Sequence, residues 1–216
     1  MCSNEVSTGR AALVETFVVD SGIPVPAAHR LRRVSERKNP DMWVEPEDDP
    51  REDDEVALGE KAVLADYLDR YRMTLDLKCD GLTPEQLATR SVPPSTMSLL
   101  GLVRHMARVE HHWFRRALEG HDDLPRLYRT DDDPDLDFNG VEGTEDAVVD
   151  AWESWYREVT HARKVYDELD DLGETFDYLG RPTEIRDIIV HLIEEYARHL
   201  GHADLLRECI DGRTGQ

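Results

Sequence analysis

Residues 195–202, with the sequence Glu-Tyr-Ala-Arg-His-Leu-Gly-His, lie in the middle of a stretch whose apolar side chains recur every three or four positions. This spacing is typical of a helix with one buried face. Its apolar positions are Ile188, Leu192, Tyr196, Leu200, Ala203, Leu206 and Ile210. Because a helix turns about 100° per residue, Glu195 and His199 lie within about 20° of the direction of Ile188. An unpaired charge on a buried face is costly, so Glu195 needs a partner.

Three earlier stretches show the same helical spacing. Their apolar positions are Leu64, Tyr67, Leu68, Tyr71 and Leu75 in the first, Leu99, Leu102, Val103, Met106, Val109 and Trp113 in the second, and Val148, Trp152, Trp155, Tyr156, Val159, Ala162, Val165, Tyr166 and Leu169 in the third. Thr144 and Thr183 are placed to cap the third and fourth helices, and Gly212 to end the fourth. No strong strand pattern is present. We therefore predict an all-α fold, a four-helix bundle with a long loop between helices 2 and 3.

Two segments lack this periodicity. Residues 121–143 form an acidic connection with prolines and glycines, which we predict to be a lid or a disordered excursion. Residues 1–55 end in a run of acidic residues and prolines, where self-repulsion opposes folding. We predict a disordered or loosely attached arm at 1–55, the bundle at 56–212 and a tail at 213–216, with Met42 as an alternative start of translation.

The composition limits the classes of function. The formal net charge is -21 and the pI is about 4.7, which disfavours binding to nucleic acid or anionic lipid. The three cysteines are widely spaced, so neither a disulfide framework nor a cysteine-based zinc site is expected. Neither an apolar run of about 18 residues nor a signal-peptide pattern occurs, and we expect a cytoplasmic protein without a membrane partner. The expected partners are a small-molecule substrate and, in a homodimer, a second copy of the chain.

A second histidine completes a candidate metal site. His105 lies three residues after Leu102 and four before Val109, so it faces the same way as these apolar side chains. If the second and fourth helices pack together, His105, Glu195 and His199 can surround one divalent cation. Two imidazoles and a carboxylate suit Zn²⁺ and also non-haem Fe²⁺, so the residues alone do not fix the metal. Taken alone, His105 would instead be a hydrogen-bonded core histidine.

At residues 98–105 (Ser-Leu-Leu-Gly-Leu-Val-Arg-His) and 190–208, the chain resembles the DinB/YfiT-like superfamily of metal-binding four-helix bundles. More narrowly, it resembles the actinobacterial "mini-circle" branch of that superfamily. The resemblance implies His105, Glu195 and His199 as metal ligands. Many members have histidine where this chain has Glu195, whereas the thiol-dependent maleylpyruvate isomerases have a carboxylate there. A pair formed by His199 and His202 is the alternative register.

The resemblance also implies the chemistry. It implies a divalent metal ion, with zinc favoured and nickel or iron as alternatives, and a low-molecular-weight thiol such as mycothiol or bacillithiol. The first functional hypothesis is a thiol-dependent S-transferase or isomerase acting on a small electrophile, with Tyr196 and His202 beside the metal as cofactor-binding residues. The alternative is a non-catalytic metal- or ligand-binding bundle, associated with stress or dimerisation. A role in the response to DNA damage is weaker, because the charge of -21 opposes direct contact with DNA.

Overall fold

The computed structural model describes residues 41–52 and 56–215. Four long helices account for most of this part of the chain, which confirms the predicted all-α bundle. They are α1 (Glu60–Cys79), α3 (Leu99–Glu110, continued by the π-helical segment His111–Leu118), α5 (Glu145–Glu168) and α6 (Ile185–Asp211). Shorter elements are a 3-10 turn (Pro46–Asp48), helices α2 (Pro84–Leu87) and α4 (Leu136–Asn139), and strands β1 (Thr175–Tyr178) and β2 (Arg181–Glu184).

Helix α3 is the centre of the bundle. It packs against α5 on one side and α6 on another, while α1 packs mainly against α6. Leu99, Leu100, Leu102 and Val103 have no exposed surface, so the first turn of α3 is enclosed on all sides. The Ser98 side chain caps this helix by accepting a hydrogen bond from the backbone N–H of Gly101 at 3.1 Å.

The helix ends partly follow the sequence signals. Thr144 caps α5 by accepting from the N–H of Ala147, and Gly212 ends α6 with a φ of 76°, as predicted. The prediction that Thr183 caps the last helix is wrong. Thr183 pairs with Phe176 in a two-stranded antiparallel hairpin, and α6 begins only at Ile185.

The hairpin corrects the expectation that the chain lacks strands. β1 and β2 are joined by Leu179 and Gly180, whose φ angles are 54° and 80°. Two consecutive positive φ angles match the right-handed twist of two short strands. Each strand has only four residues and little burial, so it leaves almost no hydrophobic pattern in the sequence.

One buried polar network connects the four long helices. Arg72 of α1 donates to both carboxylate oxygens of Glu110 on α3, each at 2.8 Å. Tyr196 of α6 donates to Glu110 at 2.8 Å, and Trp155 of α5 donates to the Tyr196 hydroxyl at 2.9 Å. All four residues are at least 97% buried. The network fixes the rotation of each helix, because a rotation would leave a buried polar or charged group without its partner.

Residues 41–52 pack against the bundle. The Trp43 side chain is only 2% exposed, and its ring lies 4.0 Å from Lys78 Nζ and 3.7 Å from the guanidinium carbon of Arg213. This part of the predicted 1–55 arm is therefore held by a buried aromatic side chain and two cations. The tail at 213–216 takes part in the same contact through Arg213. The rest of the predicted arm, residues 1–40 and 53–55, lies outside the described residues.

No helix in the described part of the chain combines the length and apolar character that a membrane span requires.

Candidate metal centre

Helices α3 and α6 bring His105, Glu195 and His199 together. The Nε2 atom of His199 lies 3.3 Å from Oε2 of Glu195, and Nε2 of His105 lies 4.0 Å from the same oxygen. One ligand atom from each residue lies within 4.8 Å of the others. The three side chains are 15%, 28% and 18% exposed in chain order, so a small molecule can reach them. Two imidazole nitrogens and a carboxylate facing a solvent-accessible point suit a divalent cation with an open coordination position.

A fourth residue, Asp137, orients His105. Its carboxylate is fully buried, and its Oδ2 lies 2.8 Å from His105 Nδ1 and 2.8 Å from Nη1 of Arg108. With Nδ1 as the donor, the lone pair of His105 is left on Nε2, the atom that faces Glu195. A carboxylate in this position fixes both the tautomer and the ring orientation of a metal-binding histidine.

The short helix α4 carries Asp137 to the site, and a glycine lets it approach. A Cβ added at Gly101 of α3 would lie 2.8 Å from the Phe138 ring, too close without a shift of that side chain. The Phe138 ring in turn stacks on His105, with ring centroids 5.3 Å apart. The 121–143 connection, predicted to be a lid or disordered, is therefore docked on α3 along its α4 segment.

The cluster shifts the pKa values of its members. Burial lowers the pKa of His105, but hydrogen bonds to Asp137 and Glu195 outweigh burial and raise it overall. Hydrogen bonds from His105 and then His199 lower the pKa of Glu195 strongly, in spite of burial. Glu195 is therefore ionised throughout the neutral range, and a proton competes with a cation for His105.

Three more side chains of α6 lie near this cluster: His202 and Tyr196, which are predicted to bind the cofactor, and His191, which is not a predicted site residue. The His202 ring is 5.5 Å from the His199 ring, and its Nδ1 is buried without a hydrogen-bond partner among the described residues. His191 Nε2 lies 3.4 Å from Oε1 of Glu195. Tyr196, predicted to lie beside the cofactor, directs its hydroxyl into the buried network with Glu110 and Trp155. The structure therefore brings His202 and His191 near the cluster and engages the Tyr196 hydroxyl in the core.

A cleft of about 280 Å³ opens beside the cluster. His105 and Glu195 line one part of it, and Trp113 and His112 of the π-helical segment line another. The π-helical hydrogen bonding includes the bond from Glu119 N–H to the Phe114 carbonyl, five residues earlier. Such segments are frequent at functional sites because they change the direction of side chains within a continuous helix.

The family described as Mycothiol-S-transferase matches residues 63–212. The chain belongs to this family. It is a DinB-like family, which confirms the resemblance to that superfamily. The matched range contains the three clustered residues and Asp137.

The fold is also found in a solved structure. A protein described as the conserved protein of locus from Enterococcus faecalis matches with a TM-score of 0.52 and 18% sequence identity. The match covers 72% of this chain and 99% of that one, so the two share the fold of the bundle. No curated protein matched the chain.

Proposed function

We propose that this member of the family is a divalent-metal-dependent S-transferase that joins a mycothiol-type thiol to a small electrophile. The observation that supports it is the cluster of His105, Glu195 and His199 beside an open cleft. The chain also belongs to the family described as Mycothiol-S-transferase. The family description favours transfer over isomerisation, the other chemistry that the resemblance implies. Zinc is the favoured metal, because two histidines and one carboxylate with an open side match its catalytic sites.

The residues present fit such a metal. His105 and His199 would bind it through Nε2, and Glu195 through its carboxylate, while Asp137 accepts a hydrogen bond from the Nδ1–H of His105. A bound divalent cation would lower the pKa of a thiol at the open position, so that the thiol reacts as the thiolate. In the transfer, a sulfur–carbon bond forms, the leaving group departs with its electron pair, and the thiol proton passes to solvent.

The residues of the cleft would position the substrate and give it access to the metal centre. His105 and Glu195 line the cleft, so a substrate bound there lies next to the reacting sulfur. Holding two reactants side by side removes much of the entropic cost of a bimolecular reaction. The cleft wall of Trp113 and His112 provides an aromatic surface for the electrophile.

Turnover with a defined thiol tests the proposal. The zinc-loaded protein is incubated with mycothiol and a panel of electrophiles, and formation of the thioether is followed by mass spectrometry. We expect turnover in the wild type and in His121→Ala, an exposed histidine outside the cluster, and its loss in His105→Ala. Zinc binding without turnover on any electrophile would instead favour a non-catalytic metal-binding bundle.

A further inference from the structure

Four arginines line the cleft beside the candidate metal centre, although the protein as a whole is strongly acidic. They are Arg108, Arg116, Arg126 and Arg129, and they come from α3, its π-helical continuation and the connection that follows. Glu195 is the one carboxylate among the described residues that line this cleft. In a chain with 47 acidic and 26 basic residues, such a local reversal of charge needs an explanation.

Two of these arginines are already engaged. Arg108 forms the ion pair with Asp137 at 2.8 Å and also donates to the Pro134 carbonyl. Arg129 donates to the same carbonyl at 3.1 Å. The Arg108 interactions hold the 121–143 connection against α3, whereas the Arg129 bond lies within the connection itself.

Arg116 and Arg126 differ from Arg108, because neither has a carboxylate partner among the described residues. Arg129 also has none there, but its guanidinium donates to a carbonyl of its own loop. Arg116 is only 8% exposed, and its Nη1 donates to the Leu124 carbonyl. Its Nε is buried and has no hydrogen-bond partner in the described part of the chain. Arg126 is exposed and also lines the cleft. Burying a guanidinium without a counter-ion is costly, so the arrangement is explained if a ligand supplies the anion.

The pKa of the neighbouring His112 also reflects the positive charge of these arginines. Burial of the His112 ring, and next the charges of Arg116 and Arg126, lower its pKa to about 4. The ring is therefore neutral at physiological pH. Its Nε2 lies 3.1 Å from the Tyr178 hydroxyl, on the hairpin side of the cleft. His112 therefore adds no charge of its own, and of the cleft arginines Arg116 and Arg126 lower its pKa most.

We infer that Arg116 and Arg126 form a carboxylate-binding subsite, and that the electrophilic substrate of this enzyme carries a carboxylate. The inference rests on the proposed function, because it places the electrophile in the cleft next to the metal. Guanidinium groups bind carboxylates through two parallel, charge-assisted hydrogen bonds, which fixes the orientation of the substrate as well as its position. The carboxylate would then lie against Arg116 and Arg126, and the reacting carbon toward His105 and Glu195.

A binding experiment tests the subsite without relying on turnover. The full-length, zinc-loaded protein is titrated by calorimetry with benzoate, benzamide and phenyl phosphate. We expect benzoate to bind at least about tenfold more tightly than benzamide in the wild type, as charge-assisted hydrogen bonds require. The same preference is expected in Arg163→Gln, a matched change at a half-exposed arginine on α5 that pairs with Asp69.

The variants decide the assignment. Arg126→Gln and Arg116→Gln should each reduce the preference for benzoate, while Arg126→Lys should retain part of it. If Arg116→Gln does not fold, the comparison of Arg126→Gln with Arg126→Lys carries the test. An unchanged preference in Arg126→Gln and in folded Arg116→Gln, or equal binding of benzoate and benzamide by the wild type, would overturn the subsite. Tighter binding of phenyl phosphate than of benzoate would overturn the choice of a carboxylate.

Failure of the carboxylate subsite and failure of the proposed function give different experimental results. Zinc itself attracts benzoate, but equally in the wild type and the arginine variants, so a difference between them comes from the arginines. If the protein binds no zinc, the proposed function fails, and the same titrations on metal-free protein still report on the arginines.

Discussion

The Nδ1 atom of His105 lies 2.8 Å from the Oδ2 atom of Asp137, a carboxylate that is fully buried and comes from the connection between the second and third long helices. This contact makes the loop part of the candidate metal centre. It fixes which nitrogen of His105 faces Glu195 and His199, and so links the docking of α4 to the binding of a cation.

Removing that carboxylate should weaken metal binding. We predict that Asp137→Asn lowers the affinity for Zn²⁺ by about 10- to 100-fold, because His105 loses the acceptor that orients its ring. Competition with a chromophoric chelator measures the affinity. Asp135→Asn, at an exposed position on the same loop, is the control and should bind zinc as the wild type does. Equal affinities for the wild type and Asp137→Asn would show that the contact has no part in metal binding.

Metal binding should depend on pH through His105. Hydrogen bonds to Asp137 and Glu195 raise the pKa of His105 in spite of burial, so its proton competes with the cation to a higher pH than a free imidazole would allow. The apparent affinity for Zn²⁺ should therefore fall as the pH decreases, beginning above about 6.5, the ordinary pKa of histidine. Glu195 stays ionised over this range because its pKa is lowered.

The Asp137→Asn variant provides the matched comparison for this pH profile. Without the carboxylate, the pKa of His105 should fall, and the decline in affinity should move to lower pH. Chelator competition at a series of pH values gives both curves. Superimposable profiles for the two proteins would contradict the assignment of the titration to the pair formed by His105 and Asp137.

The hydroxyl of Tyr196 should matter for stability and leave metal binding intact. Tyr196→Phe removes the hydrogen bond to Glu110 and leaves Trp155 Nε1 without its acceptor, both in the fully buried network. The free energy of unfolding should fall by about 1–3 kcal/mol. Chemical denaturation measures the loss, and zinc affinity should be unchanged. A large loss of zinc affinity at wild-type stability would return Tyr196 to the cofactor-binding role predicted from the sequence.

Trp43 should hold the segment at 41–52 on the bundle. Trp43→Ala removes a side chain that is 2% exposed and whose ring lies close to both Lys78 Nζ and the Arg213 guanidinium. We expect a loss of about 3 kcal/mol in unfolding free energy and faster proteolysis near residues 41–52. Val56→Ala, which alters a side chain that is 79% exposed, is the control. Unchanged proteolysis in Trp43→Ala would mean that other contacts attach the segment.

The sequence predicts the bundle and the three clustered residues because both follow from helical periodicity. His105, Glu195 and His199 lie on the apolar faces of their helices. Because the apolar faces of neighbouring helices pack together in a bundle, these three side chains meet. Asp137 carries no such signal, because it is one of many acidic residues in an aperiodic loop. Its only mark is its position between Leu136 and Phe138, an apolar pair in an otherwise polar stretch.

Helical periodicity also does not predict the burial of Trp43 or the clustering of Arg116 with Arg126. A single tryptophan in an acidic segment has no apolar residues at regular spacing around it. The acidic composition therefore predicts a loosely attached arm, and the burial of Trp43 is not foreseen. The clustering of Arg116 with Arg126 depends on how the 121–143 connection folds back over the π-helical segment, a long-range contact that spacing along the chain does not encode.

Metal content measured on purified protein tests the central claim most directly. After exposure to Zn²⁺ and removal of the excess, mass spectrometry of the wild type and of His121→Ala should give one zinc ion per chain. His105→Ala, Glu195→Ala and His199→Ala should retain much less while remaining folded, as judged by circular dichroism. A wild type that retains no zinc, or three cluster variants that retain as much as it does, would contradict the proposal of a metal centre between α3 and α6.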